Sequence, residues 1–97
     1  MPSAQDGPVE RLVEIRNEEG LHMRPAMEFV DCANSFAARI SVCKGTQCVD
    51  GKSIMQMTML AATKGTQLKI SGVGADAEEA VAALAKLLEA PKPENVG

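Results

Sequence analysis

The chain has no tryptophan, no tyrosine and only two phenylalanines, so whatever core it forms must be filled by aliphatic side chains and sulfur. It has no basic cluster: 10 basic residues stand against 13 acidic ones, a net charge of −3, which argues against nucleic acid as a partner. It has no apolar run near the roughly 20 residues that a spanning helix needs. The longest candidate, "IMQMTMLAA", is interrupted by Gln56 and Thr58. The start, "MPSAQDGPVER", lacks both the basic opening and the apolar stretch of a signal peptide, so a cytoplasmic protein without a membrane partner is expected. Cysteines are few and odd in number, three, which speaks against a disulfide framework. Cys43 and Cys48 bracket the turn "CKGTQC" and could face each other across two strands, but reduced thiols are the expectation, with a bridge only under oxidation. A zinc site is not expected either: the spacing is not C-x2-C, and one histidine would have to converge with scattered cysteines.

What is present suits one modest domain. Ninety-seven residues with 45% apolar content can bury a single core. Residues 1–8 and 91–97 are rich in Pro, Gly and polar side chains without a period and read as disordered tails, leaving 9–90 to carry the fold. From Val9 to Arg16 an imperfect alternation separates Leu12 from Val13 and Ile15, as in a half-buried strand. From Pro25 to about Asn34, Ala26, Phe29, Val30 and Ala33 recur at helical spacing. "ARISVCK" alternates, turns at Gly45 and returns through "QCV", a short antiparallel hairpin. "KSIMQMTMLAA" follows a Ser able to cap it and is stopped by "TKG"; "TQLKISG" alternates with Leu68 and Ile70 inward. "ADAEEAVAALAKLLEA" begins with Asp76 as cap and Glu79 as the partner of a capping box, and repeats Ala80, Val81, Leu84, Leu87 and Leu88. The order β-α-β-β-α-β-α predicts an α+β two-layer sandwich, a four-stranded antiparallel sheet with three helices on one face.

His22 is the only histidine. It lies at or just before a helix start, where unpaired N–H donors and the positive end of the dipole attract anions. Pro25 suits a first turn but discourages helical geometry at Arg24, so the cap is not fixed to one residue. An imidazole, a guanidinium and several amide donors within a few residues are what phosphoryl transfer through histidine requires. The positive surroundings favour the neutral nucleophile, lowering the pKa from its reference of about 6.5, and then hold the transferred group, with no metal or other cofactor. The spacing alone better suits a turn histidine whose ring bonds a carbonyl.

"GLHMRPA" resembles the active-site signature of the HPr family, histidine-containing phosphocarriers of the phosphoenolpyruvate-dependent sugar phosphotransferase system. "GKSIMQMTMLAATKGTQLKISGVGADAEEAVAALAKLL" is similar to the remainder of that family, so the likeness spans about residues 9 to 90. The resemblance implies an open-faced β-sandwich, phosphorylation of His22 at Nδ1 by phospho-Enzyme I, and delivery to Enzyme IIA domains. It makes Arg24 the phosphate-orienting neighbour, and Ser53 the target of HPr kinase/phosphorylase. It also favours a partner-binding patch of Met23, Met27, Ile54 and Met55. Such a protein is a carrier and not an enzyme with turnover of its own. Met23, Gln56 and Gly51 depart from common family residues and bear on partner identity more than on the phosphoryl chemistry. The alternative is an HPr-like regulatory interaction domain in carbon or nitrogen signalling without sugar transport.

The methionines fit that surface, because Met23 and Met27 are four apart and Met55, Met57 and Met59 crowd one segment, too many for one small core. Met57 and Met59 equally suit gap-filling in a core short of aromatics. "GTQCVDGKS" is a false P-loop: Gly45 and Gly51 have five residues between them where the pattern needs four.

Overall fold

A computed structural model describes residues 7–16, 18, 20, 21 and 23–89. The readings of tails at either end fall mainly outside these residues, as does His22 itself. The elements run β1 (Val9–Glu14), α1 (Met23–Asn34), β2 (Arg39–Lys44), β3 (Gln47–Asp50), α2 (Ile54–Met59), β4 (Gln67–Val73) and α3 (Ala77–Glu89). The four strands form one antiparallel sheet in the order β1-β4-β2-β3, with the helices against one face, as the apolar periodicity requires.

Alternation divides the sheet into two unlike surfaces. Val13, Ile40, Val42, Val49, Leu68 and Ile70 point into the helix layer and are buried. Glu10, Arg39, Asp50 and the 67%-exposed Leu12 lie on the bare side, where Lys69 and Glu10 approach to 3.5 Å. The helices return the inner face's apolar surface: Ala26, Phe29 and Ala33 from α1, Met57 from α2, and Ala80, Val81, Leu84 and Leu88 from α3 are all buried. Phe29 is fully enclosed, a burial worth up to about 3 kcal/mol. Gly51 lies beneath this layer, and a Cβ there would stand 2.6 Å from Ile40 Cγ2. A larger residue at that point would require the core to shift.

Four local expectations need correction. Helix α1 starts at Met23, two residues before Pro25. Proline is tolerated there because no N–H in a first turn has a helical acceptor. Helix α2 ends at Met59, before the expected stop at Gly65, because Ala61 itself turns left-handed with φ 51°. The Asp76 carboxylate does not close a capping box with Glu79. Its two oxygens accept from Ala37 N and Ala38 N, each at 2.9 Å, the donors at the end of the α1–β2 connection. Finally, Cys43 and Cys48 are disulfide-bonded, contrary to the expectation of reduced thiols. The two-residue turn at Gly45 (φ 61°) and Thr46 sets them directly opposite each other, with Cα atoms 4.0 Å apart.

Candidate functional site

The segment leading to α1 is fastened to the loop after α2. Ile15 N donates to Thr66 O (2.9 Å), Gly65 N to Ile15 O (2.8 Å), and Leu21 N to Ala62 O (2.8 Å). At the surface Lys64 Nζ reaches Glu18 Oε2 at 2.7 Å, and this ammonium holds the Glu18 carboxyl below its ordinary value. Gly20 makes the close approach possible. Its φ is 75°, and an added Cβ would lie 2.6 Å from Ala62 O and 2.9 Å from Thr63 Cα. Leu21 is buried. Leu21 is thus a hydrogen-bonded anchor two positions before the start of α1, and His22 is the residue between them in sequence. That start carries no acidic residue in its first turn, so its positive end is not offset locally. Arg24 is exposed there and forms no ion pair among the described residues.

Beside this helix start lies an apolar groove of about 340 Å³. Met23, Met27, Val30 and Asp31 of α1 form one wall, and Ile54, Met55 and Thr58 of α2 the other. The four residues expected as a patch thus converge on one feature, with Met23 56%, Met27 49% and Met55 75% exposed and Ile54 half-buried. The remaining methionines of α2 divide by helical phase. Met57 shares a buried face with Leu60, three residues on, whereas Met59 follows Met55 by four and is 65% exposed. Only Met57 fills the core.

Ser53 caps α2: its Oγ accepts from Gln56 N at 3.3 Å, as its sequence position suggests. It immediately precedes Ile54, one of the residues that line the groove. Gln56 has a role that the sequence did not reveal. Its Oε1 accepts from Asp50 N at 2.9 Å and ties α2 to β3. Lys44 Nζ donates to Leu60 O at 2.8 Å and joins β2 to the other end of the helix. The only hint of the Gln56 contact was an S-x-x-Q spacing that also fits a simple capping box.

The family model for the PTS HPr component phosphorylation site matches residues 9–90. The chain is 43% identical over 76 residues to a phosphocarrier protein HPr of Neisseria meningitidis, covering 78% of this chain and 85% of that protein. It is 37% identical over 81 residues to the HPr-like protein Crh of Bacillus subtilis, covering 84% of this chain and 95% of the relative. Among solved structures, a phosphocarrier protein HPr from Bacillus anthracis superposes with a TM-score of 0.81 at 40% identity, covering 84% of this chain and 98% of that one.

Proposed function

The chain belongs to the HPr family of the phosphotransferase system, and from that premise we propose that His22 accepts a phosphoryl group from phospho-Enzyme I and passes it to Enzyme IIA-type acceptors. The neutral imidazole attacks phosphorus through Nδ1; the new N–P bond forms as the bond to the donor breaks. The amides at the start of α1 and the Arg24 guanidinium then hold the anionic group until a second acceptor displaces it in line. His22 is regenerated in each cycle, so the protein is a carrier in the cytoplasm, and no cofactor or metal is called on. The observation that supports this reading is the family match across 9–90, a span that contains His22.

The groove supports the second half of the proposal. A carrier must bind donor and acceptors in turn with one surface, and flexible thioethers adapt to unlike partners. Met23, Met27, Ile54 and Met55 are assigned to docking, and Arg24 to orienting the phosphate. Ser53 is assigned as a regulatory phosphorylation site for HPr kinase/phosphorylase. Its phosphate would bring charge to an apolar rim while remaining favourable to the helix it caps. The likeness to Crh supports a second reading, a regulatory partner without sugar transport.

Incubation with phosphoenolpyruvate and Enzyme I decides between them. Wild type is expected to gain one acid-labile phosphate and His22→Ala none. If wild type remains unmodified while an HPr from a sugar-transporting bacterium is phosphorylated in the same mixture, the carrier reading fails.

A further inference from the structure

The bare face of the sheet carries chemistry that phosphoryl transfer does not use. Cys43 and Cys48 are directly opposed in the β2–β3 ladder, their Cα atoms 4.0 Å apart. That is the short separation of a pair without mutual backbone hydrogen bonds, the arrangement in which side chains are closest. The two-residue turn fixes this register, so the hairpin has one pairing that brings these sulfurs together. Cys48 is exposed and Cys43 half-buried. Cys43 also faces Lys69 across the β2–β4 ladder. The third cysteine, Cys32, lies on α1 in the helix layer, where burial pushes its thiol up and leaves it a poor nucleophile at neutral pH.

The hairpin is also coupled mechanically to the groove. Lys44, adjacent to Cys43, holds the Leu60 carbonyl at the C-cap of α2, and Asp50, two residues past Cys48, donates its amide to Gln56 near the N-terminus of that helix. Both strands that the disulfide joins are therefore attached to one wall of the groove.

We propose that Cys43–Cys48 is a reversible thiol–disulfide site for a dithiol reductant, and that the hairpin transmits its redox state to α2. A thiolate of the reductant attacks the exposed Cys48 sulfur. The Cys43–Cys48 bond breaks and its electron pair leaves on Cys43, which then takes a proton. The second thiol of the reductant, as thiolate, then attacks its own mixed-disulfide sulfur. This frees Cys48 and leaves the reductant as a disulfide, so two electrons have passed to the protein. In the return direction a peroxide oxidises one thiol to a sulfenic acid with loss of water. The neighbouring thiol displaces the hydroxyl, again as water, and the bridge reforms. An unlinked pair of this type sits at about 4.5 Å, so opening the bridge lets β2 and β3 separate slightly and moves the two anchors of α2.

The consequence for docking rests on the carrier reading, but the chemistry does not, and neither readout below involves phosphate. The full chain is treated in native buffer with dithiothreitol, freed of the reductant by desalting, then treated with equimolar hydrogen peroxide; samples from each stage, free of reagent, are alkylated with iodoacetamide in denaturant for mass counting, and a parallel sample is reduced in denaturant. The expected counts are one alkylated thiol before reduction, three after it and one again after peroxide, with no disulfide between chains. Opening of the bridge only in denaturant, or reoxidation to intermolecular dimers, would overturn the site. Methionine-methyl NMR tests the transmission. The Met55 signal is expected to shift between the two states, and by less in Lys44→Ala. Met55 signals that coincide in the oxidised and reduced protein would overturn the coupling. Cys43→Ser and Cys48→Ser are each expected to be folded and to give no peroxide response at Met55; a response in either that matches wild type would assign the effect to Cys32 and sink the proposal.

Discussion

Replacing Gly20 by alanine tests whether the close contact between the segment before His22 and the loop after α2 is a physical requirement of the site. At φ 75° an alanine costs about 1–2 kcal/mol in backbone strain alone. Its Cβ would also fall 2.6 Å from Ala62 O and 2.9 Å from Thr63 Cα, both backbone atoms, so relief requires the two loops to part. Parting stretches the 2.8 Å bond from Leu21 N to Ala62 O. An amide left unpaired beside a buried leucine costs a further ~1–3 kcal/mol. Against this, alanine restricts the unfolded chain and returns about 0.4–1 kcal/mol. The net expectation is a loss of roughly 2–3 kcal/mol, a fall in Tm of about 10–20 °C for a domain of this size. Gly65→Ala is the control, since Gly65 has φ 90° but nothing within 4 Å of the place an alanine methyl would take, and only the strain remains, a net ~0.5–1 kcal/mol. Urea denaturation of both variants reads the difference directly. Equal losses would refute the steric argument and leave only the torsion.

Four further outcomes follow from the same geometry. Met27→Glu puts a charge in the groove at a half-exposed position; stability is expected to change by no more than about 0.5 kcal/mol, while the rate of phosphoryl transfer from Enzyme I falls tenfold or more, and an unaltered rate would remove Met27 from the docking surface. Ser53→Asp retains a good cap, so thermal melting should show almost no shift while affinity for Enzyme I drops; a fall in Tm above about 5 °C would mean that the cap geometry, not the charge, is responsible. Ala61→Gly relieves a left-handed alanine at about 1–2 kcal/mol and loosens the unfolded chain by about 0.4–1, giving a gain of roughly 0.5–1 kcal/mol in urea melts, and a net loss would contradict the strain. The Glu18 carboxyl, held down by Lys64, should titrate by NMR below its reference of 4.5 and return toward it in Lys64→Ala. Because the folded-state value is the lower one, the pair's contribution to stability is complete above the unfolded value and disappears as pH falls through the folded one.

Strands and the last helix were legible because their signals are local. Leu68 and Ile70, or Ala80, Val81 and Leu84, declare their face through a period that no distant contact needs to confirm. The methionine surplus pointed correctly to a surface, but the division between Met57 and Met59 depends on which way α2 is rolled against the core, and six residues are too few to fix that phase from sequence. Long-range partners were the main blind spot. Asp76 looked like a helix cap because that is the nearest use for an aspartate, whereas its acceptors serve amides 38 and 39 residues earlier. Gln56 and Lys44 were likewise anonymous polar residues until the fold placed Asp50 N and Leu60 O beside them. That Cys43 and Cys48 face each other was legible from the hairpin turn between them; the bond was not, because an odd cysteine count speaks against a framework and says nothing of one opposed pair.

The carboxylate of Asp76 closes a circuit in the chain. It belongs to the approach to α3, yet it grips the connection that leaves α1, so α1 is tied beyond its C-terminal end to a residue about forty positions further along the chain. A chain interrupted before residue 76 would contain every residue that lines the groove and would lack the carboxylate that fastens the α1–β2 connection.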